Sequence, residues 1–192
     1  MESLNKMTVV VKDNGFGIKN VIIDEPKTYN SLSFKTLNIL IDVFRKLERD
    51  NKTRVIILSG NGKGFSAGHN LKEVKNLKVR SKYLKLFNLC SKLMLNIVEG
   101  RKPVIAKVHG SAFAAGCQLA ASCDLAYASM DAKFATPGVN IGLFCSTPMV
   151  AVSRKIGKKR MMKMLLTGEP INAGYAKEIG LSLIHISEPT RP

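Results

Sequence analysis

The stretch HGSAFAAGCQLAASCD, His109 to Asp124, carries no charge between Gly110 and Cys123, and most of its side chains are small. A helix opening at Ala114 or Ala115 leaves its first N–H groups without internal partners, and the aligned peptide dipoles make that end positive. Such an end suits an anion, and Ala114, Ala115 and Gly116 are small enough to let one reach the backbone. Close packing of the helix against a neighbour demands the same small residues, so the stretch alone leaves both readings open. Gln118 is its one long polar side chain.

Upstream, KPVIAKV (102–108) reads as a short apolar strand buried on both faces, with Pro103 at its entry. TRVIILSG (53–60) reads the same way and also runs into a glycine-rich turn, SGNGKGFSAGHNL (59–71). Between these strands Tyr83, Leu86, Phe87, Cys90, Leu93, Met94 and Ile97 recur at helical spacing. Before them, Val9–Val11 and Ile18–Ile23 flank an Asn-Gly turn and predict a hairpin. Phe34, Leu37, Ile41, Phe44 and Leu47 predict a helix capped by Ser31 or Ser33. Downstream, DLAYAS and KFAT predict short strands, and helices are predicted around 149–156 and 160–166. Alternating strands and helices imply an α/β fold. Ligands in such folds gather beyond the carboxyl ends of strands, which makes both turns site candidates. GKGFSA (62–67) superficially fits a dinucleotide-binding fingerprint, but that needs a helix opening at once and an acidic residue ending the next strand about twenty residues on, where 83–97 reads as helical. Taken singly, that turn also reads as an ordinary surface loop.

A chain of 192 residues, 45% of them hydrophobic, suffices for one domain with a real core. No apolar run approaches the ~18 residues of a spanning helix, and the first residues have neither signal-peptide nor transit-peptide character. No membrane partner is therefore expected. The net charge of +16 attracts polyanions in general. The lysines are scattered, however, and no aromatic–basic alternation appears, so a solvated surface is favoured over nucleic acid. Cys90, Cys117, Cys123 and Cys145 have neither disulfide-framework nor metal-ligand spacing, which implies reduced thiols and no metal.

Together the two turns resemble the enoyl-CoA hydratase/isomerase (crotonase) superfamily. The resemblance runs from about Val9 to Gly180 and includes EPKTYNSL (25–32) and LLTGEPINAGYAKEIGL (165–181). It implies a crotonase (ClpP-like) ββα-spiral core over 1–180, with the C-terminal helical trimerisation region missing. It also implies an acyl-coenzyme A thioester as substrate, in fatty-acyl metabolism, with no cofactor beyond the coenzyme A that the substrate carries. The main-chain N–H groups at His69 and Ala115 match the donors that hold the thioester oxygen as it becomes an enolate. Ala67, Gly68, Leu71, Ala114 and Gly116 match substrate-binding positions, and Lys27 and Lys72 lie where the nucleotide phosphates are expected. The two glutamates with which hydratases move protons are matched by Gln118 and Gly138, and the isomerases' aspartate by Ser146. None of these can transfer a proton usefully.

The resemblance thus implies a lyase-class site that keeps its oxyanion donors and lacks its acids and bases. Decarboxylation of a malonyl-type acyl-CoA and acyl-CoA binding without turnover are the alternatives. SAGH (66–69) also occurs in the family's methylmalonyl-CoA decarboxylases, although Asn70 replaces the aspartate usual there. Cys145 and Ser146 are weak nucleophile candidates, with no histidine base evident, and the His69 and His109 side chains read as structural. A homotrimer or hexamer is expected of the full-length protein. The subgroup sharing AAGCQLAASCD and FATPGVNIGLFCSTP is mitochondrial in animals; a cytoplasmic location is the alternative. Residues 181–191, LSLIHISEPTR, coincide with a translated sequencing adapter, so 181–192 are expected to be a non-native tail.

Overall fold

The computed structural model describes residues 8–184. The predicted hairpin forms from β1 (Val9–Asp13) and β2 (Ile18–Ile23), which pair antiparallel. The chain then enters α1 (Phe34–Arg49), where the Ser33 side chain accepts the Thr36 N–H as N-cap. The predicted apolar stripe of α1 is buried at Leu37, Ile41, Phe44 and Leu47. β3 (Val55–Gly60), α2 (Leu71–Lys75), α3 (Arg80–Val98) and β4 (Val104–Val108) follow. The quoted stretch holds β5 (Ser111–Phe113) and α4 (Ala115–Ser122). β6 (Leu125–Ala128), β7 (Lys133–Ala135), α5 (Ser146–Ser153), α6 (Lys158–Thr167), β8 (Ile171–Asn172), α7 (Ala173–Glu178) and β9 (Leu183–Ile184) complete it.

The main sheet has the order β1-β2-β3-β4-β6-β9 and is parallel from β2 onward. A small sheet, β5-β7-β8, stands beside it. Phe65 and Phe134 are the largest fully buried side chains, and each lies next to one of the glycine-rich turns or the small sheet. Asp124 ends the quoted stretch structurally: its Oδ2 accepts the Val104 N–H at 2.7 Å, tying the end of α4 to the start of β4.

Two local expectations change. The turn before α4 contains a strand, β5, whose three residues are too few to show a periodicity. The helices predicted around 149–156 and 160–166 begin earlier, at Ser146 and Lys158. Of the expected tail, residues 181–184 are described: Leu181 and Ser182 are buried and β9 pairs with β6. The rest of that tail, 185–192, lies outside the described residues.

Candidate functional site

The two turns are joined by main-chain pairing. Phe65 N–H donates to the His109 carbonyl at 2.9 Å, Ser66 N–H to Ser111 at 3.0 Å, and Phe113 N–H to Ser66 at 2.9 Å. Single bridges at Gly64/Gly110 and Ser66/Ala112 mark the same seam. The first turn is therefore clamped to the second and does not behave as an independent surface loop. Gly68 and Gly116 make the approach possible. A Cβ on Gly116 would overlap the Ser66 carbonyl oxygen, and one on Gly68 would lie 3.0 Å from the Ala115 nitrogen.

Asn30 holds the outer side of the first turn. Wholly buried and left-handed at φ +54°, it accepts the Glu25 N–H at 2.9 Å. Its amide also donates to the carbonyls of Asn61 at 2.8 Å and Gly64 at 2.7 Å. Ser66 Oγ donates to the Asn30 carbonyl at 2.8 Å and accepts the Gly68 N–H at 3.2 Å. Asn70 caps α2, accepting the N–H groups of Lys72 and Glu73. The replacement at 70 thus keeps a capping oxygen.

At the mouth of α4, Ala114 adopts φ +49°, ψ −118°, a conformation costly for a residue with a Cβ. The Ala114 N–H bond to Ala135 at 2.9 Å and the Gln118 N–H bond to the Ala114 carbonyl at 3.0 Å hold it there. Neither the His69 N–H nor the Ala115 N–H has an acceptor among the described residues. Both residues line one cavity of about 320 Å³, walled otherwise by Leu71, Phe87, Leu143, Phe144 and Pro148 among others.

Ala67, His69, Leu71, Ala114, Ala115, Gly138 and Ser146 therefore meet at this cavity. Gly68 and Gly116 lie behind it in the seam. Gln118 does not line it: buried in α4, with its Oε1 3.9 Å from Cys90 Sγ, it faces a neighbouring groove between α3, α4 and α5 that shares Thr147 with the cavity. Lys27 and Lys72 are exposed and are not among the cavity residues. Cys145 is on the wall, accepting the Gly138 N–H at 3.2 Å, and burial raises its thiol pKa. Sequence reasoning missed Asn30, Phe87 and Phe144. Of these, only Asn30, in a turn before a helix, carried a local signal, the tolerance of asparagine for the left-handed region.

His69 has a double attachment. Its Nδ1 lies 3.2 Å from the Leu32 carbonyl oxygen, and its ring meets Phe87 edge-on at 5.6 Å between centroids. Burial holds its pKa below the ordinary 6.5, opposed by the Leu32 bond and the Glu73 carboxylate. A histidine thus does stand on the wall that carries Cys145 and Ser146.

The sequence profile of the enoyl-CoA hydratase/isomerase family matches residues 13–187. The chain belongs to that family. It is 48% identical over 165 residues to human "Enoyl-CoA hydratase domain-containing protein 3, mitochondrial", covering 86% of this chain and 54% of that protein. The Xenopus laevis protein of the same name is 46% identical over 176 residues, covering 91% and 59%. A crystal structure of Mycobacterium smegmatis enoyl-CoA hydratase superposes with a TM-score of 0.93 at 43% identity, covering 95% of this chain and 71% of that one. The human domain-containing protein 3 structure gives 0.90 at 44%, covering 95% and 72%. This enoyl-CoA hydratase/isomerase family chain thus has the expected crotonase fold and spans about half the length of its curated relatives.

Proposed function

We propose that the cavity binds an acyl-coenzyme A thioester and that the His69 and Ala115 N–H groups hold its carbonyl oxygen as negative charge develops there. The observation carrying this reading is the pair of N–H groups, without acceptors among the described residues, brought from two different turns to one largely apolar wall. Fixed donors aimed at a developing oxyanion contribute about 3–4 kcal/mol each where single donors have been removed in other enzymes. Lys27 and Lys72 are proposed to meet the nucleotide phosphates. Mitochondrial location, a role in lipid metabolism and trimeric or hexameric assembly of the whole protein belong to the same proposal, by kinship with the relatives named above.

Hydration is not the proposed reaction. It needs an acid and a base near the substrate carbons, and among the described residues no carboxylate lines the cavity. That same observation favours decarboxylation of a malonyl-type acyl-CoA as the second reading, because departing carbon dioxide leaves its electrons behind and the site need only hold the enolate. Incubation with crotonyl-CoA and methylmalonyl-CoA separates the readings: carbon dioxide release supports the second, and rapid hydration would overturn the exclusion of hydration while leaving acyl-CoA binding in place.

Restoring a glutamate at 138 is expected not to restore hydration. A Cβ on Gly138 would lie 2.7 Å from the Leu143 carbonyl oxygen and 2.8 Å from Cys145 Sγ. The segment 143–145 has closed over the space a longer residue needs. Gly138→Glu should lower stability by about 1–3 kcal/mol, as overpacking does, and leave the ultraviolet absorbance of crotonyl-CoA unchanged with time. Rapid loss of that absorbance would show that the segment yields.

A further inference from the structure

Among the described residues, two titratable side chains line the cavity, His69 and Cys145. Burial keeps the thiol protonated and the imidazole neutral. The Leu32 carbonyl beside Nδ1 can only accept, so the neutral ring carries its proton on Nδ1 and leaves a bare lone pair on Nε2. Nε2 is buried and has no hydrogen-bond partner among the described residues. Buried polar atoms are normally paired, and of the unpaired ones among the described residues Nε2 belongs to a residue that lines this cavity. The same residue offers its main-chain N–H to the cavity.

We propose that His69 is the proton acceptor of this site, taking a proton from the carbon next to the thioester carbonyl. This deepens the function proposed above and rests on it. In the step, the Cα–H bond breaks and its proton forms a bond to Nε2. The bonding pair becomes the carbon–carbon double bond of an enolate, and the carbonyl π pair moves onto the oxygen held by the His69 and Ala115 N–H groups. Return of the proton from the imidazolium reverses the step without any other reactant. Phe87, on α3 and 39% exposed, meets the ring edge-on, and the proposed step requires it to turn aside for the substrate carbon to reach Nε2. Among the described residues, the charge acting on the ring is Glu73 on α2, whose Oε2 accepts the Phe34 N–H at 3.0 Å. Phe87 and the Leu32 segment bring none, and Cys145, at the start of α5, is the other titratable group on the cavity wall.

The test is exchange of the α-protons of butanoyl-CoA in deuterium oxide, followed by proton NMR, with calorimetric binding in parallel. The wild-type chain is expected to exchange them, faster as pH rises through a value below 6.5 and level above it, since only the neutral ring accepts a proton. His69→Asn keeps the main-chain N–H and an amide nitrogen for the Leu32 carbonyl while removing Nε2. At saturating butanoyl-CoA, with occupancy checked by calorimetry, it should slow exchange by about 100-fold or more. Wild-type binding without exchange, a flat pH profile, or equal exchange by His69→Asn would each overturn the proposal. Absence of any acyl-CoA binding would overturn the parent reading instead.

Discussion

Gly116→Ala is expected to cost about 3 kcal/mol or more, at the upper end of what overpacking does. The added methyl meets the Ser66 carbonyl, main chain against main chain. Neither side can turn away as a flexible side chain would, because Ser66 is fixed through its N–H to Ser111, its carbonyl to Phe113 and its hydroxyl to Asn30. Relief requires opening the seam between the two turns, which would separate the His69 and Ala115 donors. A urea melt should show a lower midpoint, and any folded remainder should have lost acyl-CoA affinity. Gly157→Ala is the control: nothing lies within 4 Å of its Cβ, so a change below about 1 kcal/mol is expected. Equal stability of the two variants would mean that the seam is looser than described.

Asn30→Ala should lower stability by a comparable amount, about 3–5 kcal/mol. It strands the Glu25 N–H and the Asn61 and Gly64 carbonyls, each costing about 1–3 kcal/mol if buried and unrelieved by water. It also leaves a Cβ residue at φ +54°, a conformation that asparagine tolerates and alanine resists by about 1 kcal/mol. Asn30→Gly loses the same bonds without the backbone penalty and should fall between wild type and Asn30→Ala. Denaturant melts of the three proteins check that order; an Asn30→Ala loss under 1 kcal/mol would remove Asn30 from its clamping role.

The elements legible in the sequence are those with a strong period or a strong turn. Asn14-Gly15 marked the hairpin, the Phe34–Leu47 stripe marked α1, and the apolar runs marked β3 and β4. The mouth of α4 was legible because a charge-free run of small residues has few structural uses, although it took the second turn to choose between them. β5 and α2 were hidden by their length, at three and five residues. The seam was hidden because its bonds are between main-chain atoms, which residue types barely report; only Gly64, Gly68, Gly110 and Gly116 hint at it, by leaving room. Gln118 shows the limit of positional matching. Its place on α4 was right, but which groove its side chain faces depends on the packing of α3 and α5 around it.

The most direct test of the central claim is the infrared carbonyl stretch of an acyl-CoA labelled with carbon-13 at the thioester carbon. Two N–H groups fixed on the oxygen draw electron density toward it and weaken the C=O bond, so the stretch should move to lower frequency on binding. Saturable binding with that shift is the result the His69 and Ala115 donors predict. Binding with an unshifted carbonyl, or no binding by the folded chain, would contradict it.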